Sequence, residues 1–149
     1  PQDGNITLNN RSTGYVGVTP LILNSSLREN FLYGNKDAKS DNEIIKLMDE
    51  FELFNSKEKT LDSIVDSKSL SSGQMQKIAF IRSLLADVKL LLLDESTSNL
   101  DVKTRQLIFK ILRKQDITII NSTHNYEDFD YDHHLRIIYE DEKRKFLFN

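Results

Sequence analysis

The chain has 149 residues, 38% hydrophobic and 29% charged, and its 20 basic and 23 acidic side chains leave a formal net charge of −3. A chain of this length buries roughly 70% of the surface its unfolded state exposes, so one core is expected and two independent domains are not. The acidic balance argues against nucleic-acid binding through a broad basic face, the lack of Cys excludes disulfides and thiolate chemistry, and no apolar run outlasts residues 90–93, far below the ~18 residues of a membrane span. The opening Pro1-Gln2-Asp3-Gly4 has neither Met nor a basic and apolar leader, which gives the expectation of a piece of a longer chain.

In chain order, Asn5-Ile6-Thr7-Leu8-Asn9 alternates like a short strand, and Ser12-Thr13-Gly14 carries turn chemistry. Residues 15–18 read as a second, more buried strand that Pro20 closes. From Ser25 to about Ser69 the apolar residues Leu27, Phe31, Leu32, Ile44, Ile45, Leu47, Met48, Phe51 and Leu53 fall at helical intervals, broken at 34–37 and 55–57, so this third is expected to be a small helical insert. A helix follows at about 73–86, then a strand at 89–93, a helix at about 101–114 and a strand at 117–121. Two more strands are expected at 135–139 and 145–148, with the mixed charges of 140–145 as their hairpin turn. Apolar strands alternating with helices predict an α/β fold whose mostly parallel sheet is covered on both faces.

Three places carry chemistry. The run Leu90-Leu91-Leu92-Leu93-Asp94-Glu95 is a buried strand ending in two carboxylates, at the sheet edge where open α/β folds bind ligands. Adjacent acids at a strand end face different ways, so one can hold a hard cation while the other orients or activates water. Read alone, the segment is equally well a core strand meeting solvent. In Leu70-Ser71-Ser72-Gly73-Gln74, Ser71 or Ser72 is a good N-cap, and a helix start with small residues and free N–H groups favours phosphate. By itself it is a simple cap far more often than an anion site. His124, in Ser122-Thr123-His124-Asn125, lies just past a predicted strand; a lone histidine is usually a surface or core residue.

The combination changes the reading. Leu70-Ser71-Ser72-Gly73-Gln74, Lys77-Ile78-Ala79-Phe80-Ile81-Arg82, the strand with Asp94 and Glu95, Ser96-Thr97-Ser98-Asn99-Leu100-Asp101 and His124 together resemble the nucleotide-binding domain of an ATP-binding cassette (ABC) transporter. They match that family's signature motif, Walker B strand with its glutamate, D-loop and switch histidine, in order. Leu23-Asn24-Ser25-Ser26-Leu27-Arg28-Glu29-Asn30-Phe31 with Tyr33-Gly34 is similar to the segment after the Q-loop of exporter-type members.

The resemblance implies a partial P-loop NTPase-like core, residues 1–24 and 73–149, with a helical signature subdomain at 25–72. It implies that Asp94 binds Mg²⁺, that Glu95 is the base or water-orienting group for attack on the γ-phosphate of ATP, and that His124 bonds that phosphate. Ser71, Ser72, Gly73 and Gln74 would cap the nucleotide of a second nucleotide-binding domain in a head-to-tail dimer, with Ser98 and Asp101 at the interface. The resemblance further implies a transmembrane domain fused upstream as partner and no nucleic acid, a location on the cytoplasmic face of the cell membrane, and a peptide or bacteriocin as cargo. Rival readings are a soluble cassette ATPase and a catalytically silent regulatory half.

The sequence departs from the family in four ways. No Gly-x-x-x-x-Gly-Lys-Ser/Thr occurs among its glycines 4, 14, 17, 34 and 73, so the phosphate loop is expected upstream and the chain alone is expected to be inactive. Val18 stands where the Q-loop glutamine is expected, Ser72 where the signature has glycine, and residues 63–69 lack the exporters' acidic-glycine pattern. Glu127, Asp128, Asp130, Asp132, His133 and His134 have no metal-loop spacing and read as a solvated acidic loop. Phe31, Tyr33, Phe51 and Phe54 are spaced as helix core or as a docking surface for the membrane partner.

Overall fold

A computed structural model describes residues 5, 7, 12–35, 37, 39–54, 59–124, 129–140 and 143–149. The elements in order are β1 (Thr13–Val16), β2 (Ser25–Ser26), α1 (Leu27–Leu32), α2 (Asp41–Glu50), β3 (Ile64–Val65), α3 (Ser72–Leu85), β4 (Leu90–Asp94), α4 (Val102–Leu112), β5 (Thr118–Ser122), β6 (Leu135–Glu140) and β7 (Lys143–Phe148). The expected strand at 5–9 falls mostly outside the described residues.

Strands β1, β4 and β5 form a parallel sheet in the order β1-β4-β5, with Val16 opposite Leu93 and Asp94 opposite Ser122. The order follows from connection length: β1 reaches β4 only through a long crossover that ends in α3, and β4 reaches β5 through α4. Val16, Leu91 and Leu93 join Ile78, Phe80 and Ile81 of α3 and Ile108 and Leu112 of α4 in one buried cluster.

Two expectations need correcting here. Ser12-Thr13-Gly14 is not a turn: Lys89 and Leu90 donate their N–H groups to the Ser12 carbonyl, and β1 begins at Thr13 and stops at Val16, short of the expected Val18. Gly14 serves close approach, since a Cβ there would sit 3.1 Å from Val88 Cγ1 and 3.2 Å from Leu91 Cδ1. Nor is the sheet covered on both faces among the described residues. Tyr15, Leu92 and Ile120 stand side by side in register on one face, with Tyr15 63% and Ile120 58% exposed. β5 alternates between exposed and half-buried residues as a one-sided strand does.

The third expected to be helical, from Ser25 to about Ser69, holds α1 and α2 among its described residues, and also a two-stranded antiparallel ribbon that pairs Ser25 with Val65 and Ser26 with Ile64. Strands this short leave no periodicity to read. α1, α2 and α3 each start with a capping box, Ser26 with Glu29, Ser40 with Glu43 and Ser71 with Gln74. Phe31 and Phe51 are fully buried and belong to the core, which removes them from any docking surface; Tyr33 is exposed and Phe54 half-buried. β6 and β7 pair as the expected antiparallel hairpin, from Leu135 opposite Phe148 to Glu140 opposite Lys143.

Candidate functional site

β4 is held on both edges by parallel partners, so its carboxyl end is fixed against β1 on one side and β5 on the other. Asp94 is the last residue of that strand and is exposed; its Oδ2 accepts a 3.2 Å hydrogen bond from the Tyr15 hydroxyl. Loss of hydration around the phenol, then the charge and hydrogen bond of Asp94, raise Tyr15 above its ordinary pKa. Tyr15 was not singled out from the sequence, although its alternation with Val16 puts it on the opposite face of β1.

Glu95 leaves the strand with φ of +49°, in the left-handed region that a glutamate rarely adopts. Three hydrogen bonds hold it there: its N–H donates to the Ser122 carbonyl at 2.9 Å, and its carbonyl accepts from the Ser98 N–H at 3.1 Å and the Ser98 hydroxyl at 2.8 Å. The turn aims the carboxylate across to the end of β5, where Glu95 Oε1 lies 3.7 Å from His124 Nε2. The Glu95 side chain is 23% exposed and that of His124 95%. Asp94, Glu95 and His124 therefore share the carboxyl edge of one sheet. Backbone turned this way at a strand end is a common setting for reactive side chains.

The other predicted residues gather elsewhere. Ser71 is the N-cap of α3: its hydroxyl accepts from the Gln74 N–H at 3.2 Å, and the Ser71 N–H donates to Gln74 Oε1 at 2.9 Å. Ser72 and Gly73 open the helix, and Ser72 has negative φ, so its Cβ strains nothing. Together with Glu52, Leu53, Lys77, Asn99, Leu100, Asp101 and Thr104 these four residues line an open groove of about 320 Å³. Asp101 caps α4, accepting from the Thr104 N–H at 3.0 Å and the Thr104 hydroxyl at 2.7 Å, and those bonds, the hydroxyl first, hold its carboxyl below the ordinary range. Lys77 donates to the Glu52 carbonyl at 2.9 Å, and burial lowers its ammonium pKa. The groove thus combines small hydroxyls, the N-terminus of α3 and one lysine with the carboxyl-bearing Glu52 and Asp101. Lys77 and Thr104 were missed as groove residues because their meeting depends on how α3 and α4 cross.

One buried polar side chain also escaped the sequence reading. Gln76 of α3, 3% exposed, donates through its Nε2 to the carbonyls of Gly17 at 3.0 Å and Val18 at 2.8 Å. Arg82 donates to the carbonyls of Asn30 at 2.7 Å and Leu21 at 2.9 Å, and burial lowers its pKa. Val18, at the expected Q-loop position, turns its own side chain to solvent. No helix among the described residues is long and apolar enough to cross a membrane, and none of their His, Asp and Glu side chains form a cluster of three that could hold a metal.

The ABC transporter family model matches residues 1–98. This chain belongs to the ABC transporter family. Its P-loop NTPase-like α/β fold is that of a solved bacterial Atm1-family ABC exporter with ATP bound, at a TM-score of 0.72 and 26% identity, covering 83% of this chain and 23% of that one. Among curated relatives, the lactococcin transport/processing ATP-binding protein LcnC-like of Lactococcus lactis is 36% identical over 133 residues, 86% of this chain and 19% of the relative. The mesentericin-Y105 transport/processing ATP-binding protein MesD of Leuconostoc mesenteroides is 36% identical over 115 residues, 74% of this chain and 16% of the relative. This ABC chain therefore spans about a fifth or less of the length of these relatives.

Proposed function

We propose that this chain forms part of the ATP-binding and hydrolysing unit of an ABC exporter of peptides, of the kind that exports bacteriocins. Residues 25–72 make its helical subdomain and the remainder its catalytic core. The observation that carries the reading is the division of labour within one fold: two acids and an imidazole at the carboxyl edge of β4 and β5, and a hydroxyl-lined helix tip opening a different groove. Each half lacks what the other has. A nucleoside triphosphate held between two head-to-tail copies completes both.

In that assembly Glu95 accepts the proton of the attacking water or orients it, and the Ser98 bonds that fix its backbone keep its carboxylate aimed. His124, exposed beside it, donates to the γ-phosphate. Asp94 fits a hard divalent cation: Mg²⁺ uses one or two protein carboxylates together with substrate phosphates and waters, and here one exposed carboxylate stands at the edge. When bound, Mg²⁺ neutralises charge on the phosphates. Ser71, Ser72, Gly73 and Gln74 supply helix-tip N–H groups to the γ-phosphate across the dimer, and Ser98 and Asp101 line the contact. The transmembrane domain is fused upstream in the same protein, which places this unit on the cytoplasmic face of the membrane. Because these 149 residues hold no Gly-x-x-x-x-Gly-Lys-Ser/Thr, the chain alone does not hydrolyse ATP.

The test is ATP hydrolysis by the full-length protein with Glu95→Gln. Loss of turnover by about 10²-fold or more, with nucleotide still bound, is expected for removal of the group that handles water. Unchanged turnover contradicts the reading.

A further inference from the structure

We propose that Tyr15 and Gln76 are positioning residues that set the Asp94 carboxylate according to where α3 stands. Three contacts in series carry it. Gln76, buried on α3, pins the Gly17 and Val18 carbonyls with its amide. Gly17 lies under the Tyr15 ring: a methyl at Gly17 would sit 2.7 Å from the Tyr15 hydroxyl and 3.1 Å from Cε1, so the phenol occupies the room that a side chain would take. The Tyr15 hydroxyl then donates to Asp94 Oδ2 at 3.2 Å.

The chemistry at each joint sets a direction. Gln76 can meet two carbonyls only through its NH₂ group, and its Oε1 is buried with no partner among the described residues, so the side chain is committed to the loop. A loop held by two bonds from one amide follows the helix that carries the amide. Turn geometry does not require a glycine at 17, because its φ is not positive; its missing Cβ makes the seat for Tyr15. The phenol uses one lone-pair direction of the carboxylate and leaves the rest of Asp94 to a cation. Partners of this kind orient a ligating carboxylate, and their loss commonly costs 10- to 100-fold in metal affinity. α3 also carries the helix tip, so its placement is communicated to Asp94 within one copy.

This inference rests on Asp94 meeting a nucleotide-bound cation as proposed above, and the experiment separates the two. Binding of Mn²⁺ to the full-length protein with a non-hydrolysable ATP analogue is followed by electron paramagnetic resonance, beside the Mg²⁺ dependence of turnover. Wild type binding Mn²⁺ only with nucleotide is expected; no such binding overturns the functional reading and this inference with it. Given that binding, Tyr15→Phe is expected to weaken Mn²⁺ about tenfold. Gly17→Ala, which drives the phenol off, and Gln76→Leu, which frees the loop, should each weaken it in the same sense. Each should add nothing further when combined with Tyr15→Phe, since all act through the hydroxyl. Additive losses, or Mn²⁺ affinities equal to wild type, would overturn the inference while leaving the functional reading intact. A purely structural role for Gln76 would lower stability without moving the Mn²⁺ affinity of the folded fraction.

Discussion

The tip of α3 and the carboxyl edge of the sheet both present polar groups to solvent, yet they are built on opposite terms. At the tip the hydroxyl of Ser71, the amide of Gln74 and the carboxylate of Asp101 all have partners within the chain. At the edge the His124 side chain is almost wholly exposed and meets Glu95 only at 3.7 Å, and Glu95 has a backbone conformation that costs energy. The tip is thus a finished local structure, whereas the edge carries an exposed imidazole beside a residue in an unfavourable backbone conformation. On the proposed function, the tip is the part that must be rigid and the edge the part whose exposed groups meet a ligand.

Substitutions can break this contrast in order of size. The largest effect is expected at Phe80, fully buried on α3 and stacked with Phe51 at a centroid distance of 6.5 Å. Phe80→Ala should cost about 3–5 kcal/mol by leaving a cavity under the helix that carries the tip, read from the urea unfolding midpoint; a loss under about 1 kcal/mol would mean the site collapses freely. Next comes the cap. Ser71→Ala should lower stability by about 1 kcal/mol through the lost bond to the Gln74 N–H, with Ser71→Thr or Ser71→Asp restoring most of it. If those replacements do not restore it, the helix tip is not the finished structure described here.

A smaller effect concerns charge. Thr104→Val removes the hydroxyl that most depresses the Asp101 carboxyl, so its titration, followed by carbon-13 NMR, should move up towards the ordinary range near 3.9. The sign for stability follows: a depressed carboxyl stabilises the fold above its ordinary pKa, and that contribution fades as pH falls through the lower, folded value. The variant should show a weaker acid dependence in that window, and an unmoved titration would show that the N–H bond alone sets it. The smallest effect is at Ser96, whose hydroxyl is buried beside the edge with no partner among the described residues. Ser96→Ala should leave stability within about 0.5 kcal/mol or raise it, since an orphaned hydroxyl is removed; a large loss would reveal a hidden partner.

Much of this could be read in the residues themselves. The run from Leu90 to Glu95 announced a buried strand ending in acids, and the spacing of Ile78, Ile81 and Leu85 announced α3. What could not be read depends on crossings between distant segments. Gly14 was misread because glycine serves turns and close approaches alike, and only the packing of Val88 and Leu91 decides between them. The β2–β3 ribbon is too short to leave a period. Gln76 resembles an ordinary helix residue until the loop at Gly17 is laid against it. The positive φ of Glu95 has no signature in a residue type that seldom adopts it.

The central claim is that the acid edge of one copy works with the helix tip of the other. It is tested most directly with mixed dimers of the full-length protein carrying Glu95→Gln and Gly73→Asp, the second adding a charge that repels phosphate where a Cβ, among the described residues, meets Leu100 at 3.8 Å and Ser71 Oγ at 4.0 Å. With the two substitutions on different copies, one composite site stays intact and about half of wild-type ATP turnover should remain if the two sites fire independently, whereas both on one copy should abolish it, because each site then has a broken half. The opposite pattern, with activity surviving only when both substitutions share a copy, would contradict the account.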